Sequence, residues 1–486
     1  MQHYLAFDLG AESGRAMLGT LSDSGLAIEE LHRFPNTPVR VLDGLYWDTL
    51  RLWHEIRHGL GVAARERRLT LNGVGIDTWG VDFALLGRDG ALVDNPRHYR
   101  DARTNGIMEK MAEAMPRADI FAQTGIQFIQ LNTLCQLYAM KLAGSPALDA
   151  ARTLLFMPDL FNYWMTGVAR AELTIASTSQ FYNPCAKGWA TGVLERLGLP
   201  TGMLPEIVQP GTPLGPLLDS VWPGTGAPPT VYTTACHDTA SAVAAVPAQG
   251  DDWCYISSGT WSLMGAELAE PIVNQTAMSL NLTNEVGAGG RIRLLKNIAG
   301  LWLVQECRRA WSLEGTGYNY DELARLAAAA APFTAIISPD AFLEPGDMPE
   351  KIAAYCVATG QNPPQTHGEF SRTILESLAL RYRQVLESLE TLIGRRFRVI
   401  HIVGGGSRNA VLNQFVADAT GRTVAAGPGE ATAIGNVLIQ AMGSGALASL
   451  EEARAVVRRS WKVEIFEPKP AADWDAAYRK YLKIVG

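Results

Sequence analysis

The chain has 486 residues, 49 acidic and 42 basic side chains for a net charge of −7, and is 47% hydrophobic and 19% charged. That length exceeds what one core organises, so two to four domains are expected, with ordinary globular composition. The acidic balance argues against bulk binding to nucleic acid or an anionic membrane, while leaving room for a local basic site for a phosphorylated ligand. Cys135, Cys185, Cys236, Cys254, Cys307 and Cys356 show neither CxxC spacing nor metal-like pairing with histidine. They read as thiols of a reducing, cytoplasmic compartment. No run of about eighteen apolar residues occurs, and the start MQHYLAFDLG reads as a strand rather than a signal peptide.

In chain order, Tyr4–Asp8 and Ala16–Thr20 predict two strands around a polar glycine turn, Leu9–Arg15. Trp47–Arg67 has helical spacing, and Leu71–Leu86 is strand-like with a break at Asp77–Gly80. A polar, cationic loop, Tyr99–Asn105, precedes a helix beginning near Ile107. Residues 205–229 are rich in proline and predict an extended connection. The run Val231–Ala235 then rises as a strand, breaks at Cys236-His237-Asp238, and continues as a small-residue helix closed by Pro247. The polar stretch Gln249–Asp252 is the expected domain boundary, giving 1–248 and 249–486. Beyond it, Trp253–Glu267 repeats the strand, glycine–hydroxyl turn, strand device of the N-terminus. A long amphipathic helix (369–393), a strand (398–403) ended by Gly404–Gly406, a helix (409–419), a strand (423–426) and a helix (430–442) follow. Strands alternating with helices predict an α/β sheet in each half.

Several chemistries are absent from the sequence. There is no GxxxxGK[ST] loop, no strand followed by GxGxxG and no HExxH, and the eight histidines are dispersed. The hairpin turns are the phosphate candidates: glycines let backbone N–H groups approach an anion, Ser13, Ser257, Ser258 and Thr260 offer hydroxyls, and Arg15 offers charge. Ordinary hairpin turns are the alternative. Asp8, at a strand end, suits a water-mediated hold on Mg²⁺, or a satisfied turn acid. Gly404–Gly406 lets a flat ring lie on backbone, or simply turns the chain. Trp79–Phe83 and Tyr99–Arg103 mix aromatic, acidic and guanidinium groups, as a polyhydroxylated ligand requires; a surface salt-bridge loop is the alternative for Arg103. Asp238 is a helix N-cap by its position, or a catalytic carboxylate.

DLGAESGR (8–15), GIDTWGVDF (75–83), YRDARTN (99–105), GIQF (125–128), MPDLFNYWMTG (157–167), CHDTASAV (236–243), SSGTWSLMG (257–265), LKNIAGLWLVQE (295–306) and HIVGGGSRN (401–409) stand in order along nearly the whole chain. Together they resemble the FGGY family of carbohydrate kinases. The resemblance implies an α/β fold of two actin-like, RNase H-type domains flanking a deep catalytic cleft, with the sugar on 1–248 and the nucleotide on 249–486. It implies ATP-dependent phosphorylation of a sugar, with the 1-hydroxyl of L-rhamnulose as acceptor. L-fuculose is the alternative ketose, and an actin-like nucleotide-dependent binding protein without turnover is the alternative of another class. By the resemblance, Asp238 is the proton acceptor. Ala11, Glu12, Ser13, Gly14, Arg15, Thr260, Gln305 and Gly405 meet ATP, and Gly80, His237, Asp238, Thr239 and Asn297 meet the sugar. Mg²⁺ accompanies ATP, touched through water by Asp8. Glu12 departs from the hydroxyl residue often found there, and an acid beside triphosphate needs screening by Mg²⁺ or Arg15. At a helix N-terminus, Asp238 is expected to stay ionised.

Overall fold

The N-terminal apolar run becomes β1 (Gln2–Leu9) in the computed structural model, which describes residues 1–469 and 473–485. β1 pairs antiparallel with β2 (Ser13–Ser22), which pairs antiparallel with β3 (Gly25–Pro35). On its other edge β1 lies parallel to β4 (Gly73–Thr78). The sheet is completed by β5 (Pro213–Pro216) and β6 (Thr230–Tyr232), in the order β5-β6-β4-β1-β2-β3. All six residues of β4 are buried, as a parallel strand covered on both faces requires. β2 begins at Ser13, earlier than expected, so Arg15 lies in the strand opposite Asp8 and not in the turn.

The chain sorts into two units that interleave in sequence. The first takes Met1–Pro247, Glu267–Leu294 and Ala431–Ser460; the second takes Ala248–Ala266, Leu295–Glu430 and the segment from Trp461. The second unit repeats the device of the first. β7 (Trp253–Ser258) pairs antiparallel with β8 (Ser262–Leu268) and parallel with β10 (Val399–Val403). β9 (Ile292–Ile298) follows β8 in the sheet; beyond β10 come β11 (Thr423–Ala426), parallel, and β12 (Glu464–Phe466), antiparallel. β8 runs out of this unit at Ala266 and β9 re-enters it at Leu295, so the excursion between them belongs to the first unit.

Small residues set the helix packing in the first unit. α1 (Asp238–Ala244) and α5 (Ala431–Gly443) approach so closely that a Cβ on Gly435 would stand 1.8 Å from the Ser241 carbonyl oxygen. Only glycine permits that crossing. Ala235, Ala240, Ala244 and Ile439 fill the seam. In the second unit α2 (Trp302–Leu313) follows β9, and α3 (His367–Ile393) starts with a Thr366/Glu369 capping box and stops at Gly394, φ 70°. Buried Tyr382 of α3 shares a 2.6 Å hydrogen bond with Ser262 of β8, which fixes the helix on the sheet. α4 (Ala410–Thr420) connects β10 to β11. Among the described residues no helix is long and apolar enough to cross a membrane.

Candidate active site

In the first unit three aspartates meet where β1 and β4 end. The parallel register places Asp8 beside Asp77, and Asp8 forms an ion pair with Arg15 across the β1–β2 ladder. The Asp238 loop is joined to the same end because Thr78 N–H donates to the Cys236 carbonyl at 2.9 Å, with a parallel bridge between Thr78 and His237. Asp77 is fully buried: Asn436 Nδ2 of α5 donates to its Oδ2 at 2.5 Å, while its Oδ1 has no partner. Burial, with the Asp8 and Asp238 charges adding to it, pushes Asp77 well above the usual carboxylate range.

Asp238 departs from expectation in two respects. The cap position belongs to His237, in extended conformation (φ −77°, ψ 118°), and Asp238 is the first residue of α1. Its Oδ1 accepts from Thr239 N at 2.5 Å and from Thr239 Oγ1 at 3.2 Å, and its side chain is 30% exposed. Burial raises its pKa, as does Asp8, against the opposing hydrogen bonds from Thr239. A seven-residue helix does not offset that desolvation, so the expected dipole effect is not what governs its charge.

The loop backbone is clamped from behind. Glu172 Oε2 accepts from Cys236 N at 3.1 Å and from Thr174 Oγ1 at 2.6 Å, and Thr174 Oγ1 accepts from His237 N at 3.2 Å. Burial lifts the Glu172 carboxyl to about 7. In the N-terminal turn, Asn36 Nδ2 donates to the Gly10 carbonyl at 2.8 Å and Asn36 N to the Glu12 carbonyl at 2.9 Å. That staple holds Ala11, Glu12 and Ser13 in place. Gly14 is glycine for a packing reason: a Cβ there would fall 2.2 Å from the Phe34 ring.

The 75–83 loop is over-determined. Gly80 faces His237, where a Cβ would stand 3.3 Å from Nε2. Val81, β-branched, has φ 67°, a conformation that persists only when held. Thr178 Oγ1 accepts from its N–H at 3.1 Å and Thr133 Oγ1 donates to its carbonyl at 2.6 Å. Asp82 is a brace rather than a ligand. Trp47 Nε1 (2.6 Å), Trp79 Nε1 (3.0 Å) and Tyr99 N (3.1 Å) donate to Oδ2, and Gln136 Nε2 (2.9 Å) donates to Oδ1. With its acceptors filled and no exposure, Asp82 has nothing to offer a sugar. Burial lifts it to about 6 against those bonds. Arg103 is no surface salt bridge: its Nη2 donates to Gln136 Oε1 at 2.7 Å, and burial lowers it to about 10.

In the second unit three loops gather at the C-terminal end of β7. Leu301 N and Trp302 N, at the head of α2, donate to the Gly259 and Thr260 carbonyls at 3.1 and 3.0 Å. Gly300 (φ 43°) lies so close that a Cβ would meet the Thr260–Ser262 backbone at 2.5–2.6 Å. Gln305 is thus carried one turn from Thr260 on α2, and Asn297 lies on β9. Gly404 and Gly406 pack on Ser258, where Cβ atoms would fall 2.9 Å from its carbonyl oxygen and 2.0 Å from its Oγ; beside Gly405 nothing lies within 4 Å. Of the three glycines, only Gly405 leaves space that packing does not explain. Ser258 Oγ is buried without a partner, so it is not the exposed turn donor the sequence suggests.

Glu172, Thr174, Asn36, Gln136 and the Arg293–Glu285 pair carry no motif. Asn436 and Gln440 did leave a trace, as amides spaced i, i+4 in an otherwise apolar helix. Among the described residues no three His, Cys, Asp or Glu side chains form a metal cage. The donor present is Asp8, ion-paired to Arg15; it fits an Mg²⁺ held chiefly by triphosphate and water, not by protein.

Residues 3–245 match the N-terminal domain model, and 254–444 the C-terminal domain model, of the FGGY family of carbohydrate kinases. The chain is 45% identical over 488 aligned residues to a protein of Bacteroides thetaiotaomicron named Rhamnulokinase, covering 100% of this chain and 99% of the relative. It is 42% identical to one of the same name from Enterococcus faecalis, covering 96% and 94%. Its fold is similar to that of a xylulose kinase from Lactobacillus acidophilus, TM-score 0.82 at 14% identity, covering 100% of this chain and 98% of that one. A duplicated strand device and an aspartate-lined loop over its first copy are thus joined to family matches across both halves, and the chain belongs to the FGGY family of carbohydrate kinases.

Proposed function

We propose that this chain transfers the γ-phosphoryl group of ATP to the 1-hydroxyl of L-rhamnulose, giving L-rhamnulose 1-phosphate and ADP. Full-length identity of 45% to a protein named Rhamnulokinase supports the sugar. The observation that carries the chemistry is Asp238: Oδ1 is engaged by Thr239, and Oδ2 makes no hydrogen bond among the described residues. That oxygen accepts the hydroxyl proton as the P–O bond forms, and the raised pKa makes it a better base than an ordinary aspartate. The transition state of phosphoryl transfer is loose, so positioning and charge neutralisation are what the protein must supply.

His237, Thr239 and Gly80 in the first unit and Asn297 in the second are assigned to the sugar. Ala11–Arg15 in the first unit, with Thr260, Gln305 and Gly405 in the second, are assigned to ATP. Support comes from the stapled 10–13 turn and from the loops gathered at the end of β7. Residues 1–248 thus carry most of the sugar assignments and share the nucleotide with 249–486, with the 267–294 and 431–460 segments serving the first unit. Mg²⁺, when bound with ATP, neutralises phosphate charge; Asp8 is the residue that would reach it through water. A cytoplasmic location suits six cysteines that are all free, five of them buried.

A coupled ADP-release assay over a panel of ketoses tests this reading. ADP release is expected with L-rhamnulose well above L-fuculose and above the sugar-free rate. ATP hydrolysis indifferent to every sugar contradicts it.

A further inference from the structure

The imidazole of His237 is held by two residues that the sequence places far away. The excursion Glu267–Leu294 returns to the first unit and delivers Glu285 and Arg293 beside it. Arg293 is fully buried. Its Nη2 donates to His237 Nδ1 at 3.0 Å and to Glu285 Oε2 at 3.1 Å, and its Nε donates to the Val286 carbonyl at 3.2 Å. Glu285 Oε2 also lies 3.3 Å from His237 Nδ1. A guanidinium has five N–H donors and no acceptor, so the ring nitrogen facing it must offer a lone pair. A proton on Nδ1 would point to Glu285 only by setting two N–H groups head to head at the shorter contact. Glu285 instead neutralises Arg293, which leaves a buried pair without net charge beside a neutral ring. The proton then sits on Nε2, 3.5 Å from Asp238 Oδ1 and facing Gly80, whose missing Cβ keeps that side open.

We infer that Arg293 and Glu285 are a positioning pair that fixes His237 as the Nε2–H tautomer, so that His237 donates toward the Asp238 carboxylate and the acceptor sugar. In the opposite tautomer Nε2 would be an acceptor. It would then face a carboxylate lone pair and leave Asp238 without that orienting donor. The inference goes beyond the proposed function. Its kinetic arm rests on Asp238 as the proton acceptor; its spectroscopic arm does not.

The test is a long-range ¹H–¹⁵N spectrum of the full-length protein labelled at histidine nitrogens, with His237→Gln used to assign the resonance. A pyridine-type Nδ1 and a protonated Nε2 are expected in the resting protein; a protonated Nδ1 overturns the inference while leaving the proposed function standing. The kinetic arm uses Arg293→Gln/Glu285→Gln, which removes both charges and leaves neither buried alone. It is expected to lower kcat by at least about tenfold with the KM for ATP unchanged, as a misdirected tautomer does. In a His237→Gln background the same exchange is expected to add nothing, whereas an equal loss there means that the pair does not act through His237. If the doubly exchanged protein fails to fold, the wild-type spectrum alone decides.

Discussion

The two ends where the β1 and β7 hairpins open are built alike and stocked differently. At the end of β1 Asp8 pairs with Arg15 of the adjoining strand, while Asp77 and Asp238 are shaped by burial and by partners from remote parts of the chain: Asn436 for Asp77, and Glu172 through Cys236 and Arg293 through His237 for Asp238. At the end of β7 stand glycines and backbone groups, with Leu301 and Trp302 N–H bracing the turn carbonyls. The same strand pairing thus supports a chemical end, where charge and protonation are set by desolvation, and a shape end, where the absence of side chains makes room. Errors at the first should cost rate, and errors at the second should cost affinity or packing.

The largest expected break in that contrast is Asp238→Asn, which should lower kcat by roughly 10²–10⁴-fold while ATP affinity, read by titration, stays put. Next comes pH. Asp82 has its folded pKa lifted to about 6 from the usual carboxylate value, so the native state holds a proton that the unfolded chain has already released between about pH 4 and pH 6. Its contribution is fully present at low pH and is lost as pH rises through 6, by about 3 kcal/mol for two units at 1.36 kcal/mol each. Asp82→Asn should therefore flatten the fall in urea-unfolding stability between pH 4 and pH 7; an unchanged slope contradicts the assignment.

At the shape end, Gly406→Ala must push aside Ser258 and should cost about 1–3 kcal/mol in denaturant unfolding. Gly405→Ala is the smallest in stability, within about 0.5 kcal/mol, because nothing lies near its Cβ. Its effect should appear as a raised KM for ATP instead. Equal stability losses at 405 and 406 would erase the distinction between packed and open glycines.

Local pattern made the architecture legible. The hairpins at 4–20 and 253–267, the helix at 369–393 and the strand at 398–403 all follow from apolar runs punctuated by glycine, and each stands within a few residues of its expected place. Asp238 was legible as a carboxylate at a strand-to-helix break, and the turn glycines as a feature, though not which of them packing requires. Its partners were not, because Glu172, Glu285 and Arg293 meet the loop only through tertiary return of the chain, and a lone buried charge leaves no periodic trace. Asp82 looked like a sugar ligand for the same reason: the donors that fill it come from Trp47, Tyr99 and Gln136, which no spacing connects.

The central claim, phosphoryl transfer to the sugar's primary hydroxyl under the control of Asp238, is met most directly by the product. A proton–phosphorus correlation spectrum of a reaction containing ATP, Mg²⁺ and L-rhamnulose should show phosphorus coupled to the C1 methylene protons with the wild-type protein, and no such signal on the same timescale with Asp238→Asn. Inorganic phosphate without a sugar ester, or the same ester formed as fast by the variant, would contradict it.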